Sequence, residues 1–333
     1  MQIQQVRELL QDYPADKLRL IIGELYKILP KKVIEEKGVD VLLKDPDGFL
    51  ENRRKNRKAV ELPDFEEVKE ETELFIENAK QQYYFAPNRV IPKKDRPKWR
   101  FIVKRLYKDL LTLTGDTNNL PQVSELLEKL YCLLCEACGV YLFSSDDPFA
   151  SVGIKQSEFY RQVIAAKKQA FLPGEWVPAA IRLIVENHVD RNTLPTDLMY
   201  VLVEFLNTAP LKEQAAEQAD RLRREFLKSS LKRRQMGYSE KSRNNDLVEL
   251  VLILQMALGD YEKAISYFKA HYVGLDDEVS LYVLLRWLFH YGLKDLWLRE
   301  YEAALDHGIQ PRKALRNTYQ YIRETGKFPE YMG

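Results

Sequence analysis

Gly259-Asp260-Tyr261-Glu262-Lys263-Ala264-Ile265-Ser266-Tyr267-Phe268 is the stretch on which the fold turns. A glycine able to take the left-handed conformation closes one helix, and an amphipathic helix begins directly after it. Tyr261, Ala264, Ile265, Phe268 and Tyr272 fall on one face at helical spacing, with Glu262, Lys263 and Lys269 elsewhere. Just upstream, residues 247–258 are apolar nearly all round, as are 278–291 further on, so both helices need cover on every side. The order then recurs. Gly292 and Gly326 follow Gly259 at intervals of 33 and 34 residues, with Leu298 in the place of Ile265 and Tyr301 in that of Phe268. Alternating buried and half-exposed helices at that period predict stacked hairpins, because one hairpin cannot cover its own apolar face.

The quoted stretch resembles the turn and second helix of a tetratricopeptide repeat. In that family the small residue, here Ala264, lets helices approach closely, and the aromatic four residues on, here Phe268, packs between repeats. This chain departs from the pattern at several places: His271 stands where a second alanine is usual, Asp276 where proline is, and Trp297 replaces the small residue in the next unit. The first helix also lacks the usual Trp and Leu-Gly. The resemblance covers about 247–326 and implies a helical-repeat, tetratricopeptide-like interaction scaffold.

Working outward, the whole chain reads as all-α: a helical bundle followed by an αα-hairpin solenoid. Leu18, Ile21, Ile22, Leu25, Ile28 and Leu29 share one helical face after Pro14. Residues 97–113 and 119–138 continue the pattern, the second closing at Gly139. Further helices are expected at 157–170, 176–188, 195–207, 210–234, 243–258, 260–272, 278–291, 294–307 and 311–325. Gly139 to Phe143 alternates like a strand but has no partner strand, so an extended connection is expected there. Asp/Pro/Gly content marks a flexible joint at 144–153. It divides an N-terminal helical unit, 1–143, from a C-terminal hairpin unit, 154–333. The N-terminal unit strings together a leucine-rich helix, an acidic helix over 64–80, Tyr83-Tyr84-Phe85 and a basic, proline-broken stretch. In this it is similar to helical bacterial families of unassigned function.

Composition narrows the classes. The chain has 333 residues, 51 basic and 50 acidic, so it is no polyelectrolyte binder throughout. Its N-terminus shows no secretory pattern, and its most apolar window, 247–258, falls short of the roughly 20 residues that span a bilayer. Three cysteines within one helix make no disulfide framework. A cytoplasmic, membrane-free protein is the expectation.

No catalytic constellation is found, and neither cofactor nor metal is expected. Cys132, Cys135 and Cys138 read as C-x2-C-x2-C, but six helical residues separate the outer thiols by about 9 Å, too far to share one zinc. Asp64 and Glu67-Val68-Lys69 lie in one acidic helix, where nuclease-type magnesium chemistry needs adjoining strands. The four histidines are scattered, and His307 sits at a helix end, where it caps. There is no glycine-rich phosphate loop.

Two kinds of surface remain. A protein partner is expected from the aromatic surplus at Tyr282, Trp287, Trp297, Tyr301 and Tyr319, with Tyr291 and Tyr321, since Tyr, Trp and Arg dominate binding hot spots; filling space between helices is the structural alternative. A nucleic-acid partner is the second expectation, from three basic clusters. Residues 52–58, with Arg53 and Arg54, carry +5. Residues 89–108, with Lys93, Lys94, Arg96, Lys98 and Arg100, carry +8 and interleave Trp99, Phe101 and Tyr107. Residues 221–234, with Arg221, Arg224, Arg233 and Arg234, carry +6. Cations mixed with aromatics can follow a phosphate backbone and stack bases. Alternatively, the eight carboxylates over 61–77 neutralise them. The principal expectation is a non-enzymatic protein-interaction scaffold, with a nucleic-acid accessory protein second.

Overall fold

Helix punctuation written in the sequence is obeyed closely. Asp64 accepts from the Glu67 N–H (3.0 Å) and opens helix Phe65–Lys80, and Asp276 accepts from the Val279 N–H (2.8 Å) and opens Asp277–His290. Gly259 and Gly326 close their helices at φ 83° and 70°, and Gly292, at φ 69°, follows a third. The structure is a computed structural model and describes residues 6, 9–11, 13–51, 62–230 and 236–332. It is all-α, with no strand among the described residues.

The chain divides into two compact units, Met1–Leu62 and Pro63–Gly333. The first contains α1 (Ala15–Ile28), α2 (Lys31–Lys37) and α3 (Val39–Lys44). Gly38, at φ 63°, turns α2 into α3, and the Tyr26 hydroxyl donates to Asp40 Oδ1 (2.7 Å). The amphipathic face expected on α1 is present, yet the helix buries no residue and Leu20, Leu25 and Ile28 stand exposed.

The second unit opens with α4 (Phe65–Lys80), α5 (Trp99–Leu113) and α6 (Leu120–Gly139). Val68, Thr72, Phe75 and Ala79 form the buried stripe of α4, and Trp99, Val103, Leu106 and Leu110 that of α5. Trp99 stacks on Phe143 at 4.1 Å, and Phe75 and Tyr84 surround the same ring. Phe143 thus pins the extended connection after α6. Gly139 does not close α6 in the left-handed conformation: it lies inside the last turn, and a Cβ there would come 2.6 Å from His188 Nε2. Close approach to His188 is what that position requires.

The segment 144–153 falls within the second unit. Its Asp, Pro and Gly punctuate a short helix, α7 (Pro148–Val152): Asp147 caps it, Gly153 ends it at φ 73°, and Phe149 is fully buried beneath it. Then come α8 (Gln156–Ala170), α9 (Pro173–Val185), α10 (Pro195–Phe205) and α11 (Ala209–Ser230). Buried Gln156 ties α8 to the loop after α9, donating to the His188 carbonyl (3.0 Å) and accepting from the Asp190 N–H (2.7 Å).

α12 (Tyr238–Leu258) is buried on all sides from Leu247 to Met256, packed by α11 and α13 (Tyr261–His271) and touched by α9 and α10. α14 (Asp277–His290), α15 (Lys294–Asp306) and α16 (Lys313–Thr325) follow; α14 packs on α15, and Tyr319 of α16 stacks on Tyr301 and donates to Glu302 of α15. Side chains about one period apart meet in space. Lys269 pairs with Glu300 (2.9 Å), Arg299 with Glu262 (2.8 Å), and Arg312 with Glu278 (2.6 Å) across a separation of 34 residues. Ala264 and Phe268 are buried at the centre, as the hairpin pattern demands. Phe268→Ala is expected to cost about 3–5 kcal/mol through the cavity it leaves, and Ala264→Leu about 1–3 kcal/mol through overpacking. Urea denaturation read by circular dichroism measures both, and an unchanged midpoint in either refutes this packing.

Candidate functional site

The expected contact aromatics separate into two groups. Trp287, Trp297 and Tyr301 are buried, so these three leave the candidate interaction surface and fill space between helices. Trp297 stacks on Tyr301 (5.2 Å) and meets the edge of Phe328 (6.2 Å), and the Trp287 Nε1–H donates to Glu249 Oε2 (3.1 Å). Tyr282 and Tyr319 are half-buried: the Arg312 guanidinium lies 4.0 Å over the Tyr282 ring, and Tyr319 stacks on Tyr301 while donating to Glu302 (3.0 Å). Tyr321 is exposed.

What α13, α14 and α15 leave between them is a furrow of about 450 Å3. Phe268, Leu281, Leu284 and Ala304 make its apolar floor. Ser280, Asp277, His307 and the Lys269–Glu300 ion pair make its polar edge. His307 donates from Nδ1 to the Ala303 carbonyl (2.6 Å), the expected capping role at the end of α15. An apolar channel of this size with a few polar groups on its rim has the general make-up of a binding cleft.

The basic clusters also separate. Arg53, Arg54, Arg233 and Arg234 lie outside the described residues. Arg96 is a brace: it donates to the Ile91 carbonyl (3.1 Å) and the Asn88 carbonyl (3.2 Å). Asn88 itself bonds the Tyr83 and Ala86 carbonyls and the Val90 and Ile91 N–H groups, so 86–96 is a built loop. Lys98 pairs with Asp95 (2.7 Å) and holds that carboxyl below its ordinary range. Arg221 pairs with Glu225 (2.9 Å) and Arg224 with Asp220 (3.0 Å), which neutralises much of the α11 cluster locally. Lys93, Lys94 and Arg100 are exposed, and among the described residues no carboxylate pairs with them. On α5 the expected neutralisation by the acidic helix reduces to one pair, Arg105 with Glu71. Arg100, Lys104 and Lys108, at i, i+4 and i+8, therefore form an exposed cationic stripe. Phe101 stands exposed beside it, 5.1 Å under the Arg100 guanidinium, whereas Trp99 is buried and Tyr107 packs on Phe159 (4.5 Å).

The cysteines are free: Cys135 is buried, Cys132 and Cys138 half-buried. Burial, aided by the Glu128 charge, pushes the Cys132 thiol up to about 12, and burial does the same to Cys138. Thiols so raised are poor nucleophiles and poor metal ligands at neutral pH. Among the described residues no group of three or more His, Cys, Asp or Glu side chains is placed to hold a metal ion, and no helix is long and apolar enough to cross a membrane.

One feature escaped the sequence. Asp246 and Glu249, one turn apart on α12, are both driven toward the protonated form by burial, Asp246 to about 7 with the Glu249 charge adding to it. Arg243 and, toward Glu249, Arg286 and the Trp287 N–H oppose the shift. Glu249 receives the Trp287 N–H from α14, a contact that helical periodicity does not show.

These features define an all-α protein of sequentially packed helices with several separate surfaces. The chain matches no protein-family model, no curated protein and no solved structure at a significant level.

Because Asp246 is raised in the folded state from an ordinary 3.8, its contribution favours folding at low pH and is lost as pH rises toward 7. Asp246→Asn is therefore expected to stabilise the protein by roughly 1–2 kcal/mol at pH 8.5 and by nothing measurable at pH 4. Urea midpoints across that range report it, and a pH-independent difference contradicts the assignment.

Proposed function

We propose that the C-terminal hairpins form a tetratricopeptide-like solenoid and that the protein is a non-enzymatic scaffold holding a protein partner in the furrow between α13, α14 and α15. The furrow is the observation that supports this: four apolar side chains line its floor, and polar groups from three helices stand at its edge. Trp287, Trp297 and Tyr301 are buried and do not line it. A photo-reactive phenylalanine at Ala303, on the furrow wall, is expected to cross-link a stoichiometric partner in native lysate. The same probe at exposed Tyr238 is not. Ala303→Trp, which fills the furrow, is expected to remove the cross-linkable partner from co-precipitates. Equal cross-linking at both positions, or none at Ala303, speaks against the scaffold.

A second reading, a nucleic-acid accessory protein, is favoured by the exposed cations Lys93, Lys94, Arg100, Lys104 and Lys108, which have no ion-pair partner among the described residues, and by Phe101, exposed under the Arg100 guanidinium. A mixed-sequence single-stranded oligonucleotide is then expected to bind at least tenfold more weakly at 200 mM than at 50 mM salt. Lys93→Glu with Arg100→Glu abolishes that complex. Fluorescence anisotropy decides it, and absence of any salt-sensitive complex ends this reading.

A further inference from the structure

The acidic helix α4 is not consumed by the basic residues near it in sequence. Its far side faces α6 across a groove of about 690 Å3. The floor of that groove is apolar, made by Ile76 and Leu133 with the uncharged thiol of Cys132. Its walls carry five glutamates against two lysines. Two of the glutamates are engaged, Glu73 by Lys129 (3.6 Å) and Glu128 by buried Lys167. The other three, Glu77 on α4 and Glu125 and Glu136 on α6, have no ion-pair partner among the described residues.

The spacing of these groups has a definite reach. Glu125 and Glu136 are eleven residues apart on one helix, so they stand about 16 Å apart along its axis. Glu77 answers them from the opposite wall. Three carboxylates spread over that length, around an apolar floor, match neither a single metal ion nor a compact small molecule. They match an extended object about three helical turns long that is apolar along one side and cationic along its flanks. A phosphate backbone is repelled by the same charges.

We infer that the α4–α6 groove is the docking site for a lysine- or arginine-rich amphipathic helix of a partner protein. Its apolar side chains sit over Ile76 and Leu133, and its cations reach Glu77, Glu125 and Glu136. This surface is distinct from the furrow of α13–α15, so either can be lost without the other.

The test uses the full chain and a fluorescein-labelled 18-residue peptide of Lys, Leu and Ala with its leucines at i, i+3, i+4 and i+7. Anisotropy is expected to show saturable one-to-one binding. A peptide of identical composition but scrambled order binds at least tenfold more weakly, because it cannot present charge and apolar surface together. The triple variant Glu77→Lys, Glu125→Lys, Glu136→Lys weakens binding at least tenfold. The control triple Glu213→Lys, Glu217→Lys, Glu330→Lys, which makes the same change in net charge at other exposed positions, weakens it less than threefold. The milder Glu77→Gln, Glu125→Gln, Glu136→Gln variant gives an intermediate loss and guards against misfolding in the reversal. Ala303→Trp leaves binding unchanged. The inference is overturned if no complex forms, if the scrambled peptide binds equally, or if the control triple is as damaging as the groove triple. It is likewise overturned if Ala303→Trp abolishes binding, which assigns the peptide to the furrow.

Discussion

The second unit depends on the burial of one helix. From Leu247 to Met256, α12 presents apolar surface in every direction, and such a helix is unstable unless neighbours surround it. Its cover comes from α11 along one side, α13 on another, and contacts with α9 and α10. Those neighbours belong both to the helices that precede it and to the hairpins that follow. The hydrophobic demand of a single helix is therefore what joins the two halves of this unit into one core, with no seam at the Asp/Pro/Gly segment 144–153. The same demand explains the discordant groups on α12. Gln255 Oε1 is buried without a partner, and Asp246 and Glu249 are pushed toward protonation, because polar side chains on an enclosed helix have little water left to meet.

Register between successive hairpins is set differently. The ion pairs that link residues a period apart are largely at the surface, where such pairs contribute little net energy. Apolar interlocking has to supply the stability, through Ala264 and Phe268 in one hairpin and Trp297 and Tyr301 in the next. Trp297 occupies the place where the first hairpin has Ala264, and both are fully buried. Phe328, from beyond α16, packs against the edge of the indole. The segment after α16 thereby packs against the core.

Much of this fold was legible because the second half of the chain repeats one instruction. Helix ends marked by Gly259, Gly292 and Gly326 fall within a residue of the observed bounds, whereas α12 begins at Tyr238, five residues before the expected 243. Capping by Asp64, Asp276 and His307 follows the same local logic. Sequence periodicity fails where a residue acts at a distance. Gly139 is needed for its clearance from His188 rather than for its dihedral angle. Asn88 and Arg96 organise a loop that looks featureless in composition. Residues 144–153 look like a joint because the amino acids that loosen a chain also cap and terminate a short helix. The burial of Trp287, Trp297 and Tyr301 was within reach as the structural alternative to a contact surface, since a row of aromatics at helical spacing serves cores and interfaces equally. The α4–α6 groove could not be seen at all, because its walls lie some 50 residues apart and only folding sets Glu77 opposite Glu125 and Glu136.

Charge, finally, is balanced in the chain as a whole but not where it stands. Fifty acidic and 51 basic residues cancel in composition, yet the α5 stripe and the α4–α6 groove each keep several like charges without ion-pair partners among the described residues. Like charges held near one another oppose folding slightly, and that opposition is relieved only by an incoming group of the other sign. One ligand cannot relieve both. A polyanion drawn to Arg100, Lys104 and Lys108 is repelled by Glu77, Glu125 and Glu136, and a cationic helix is sorted the opposite way. The furrow of α13, α14 and α15 has instead an internally neutralised Lys269–Glu300 edge. Under the proposed scaffold reading, the three surfaces differ in charge, so unlike partners are expected not to compete for a single site.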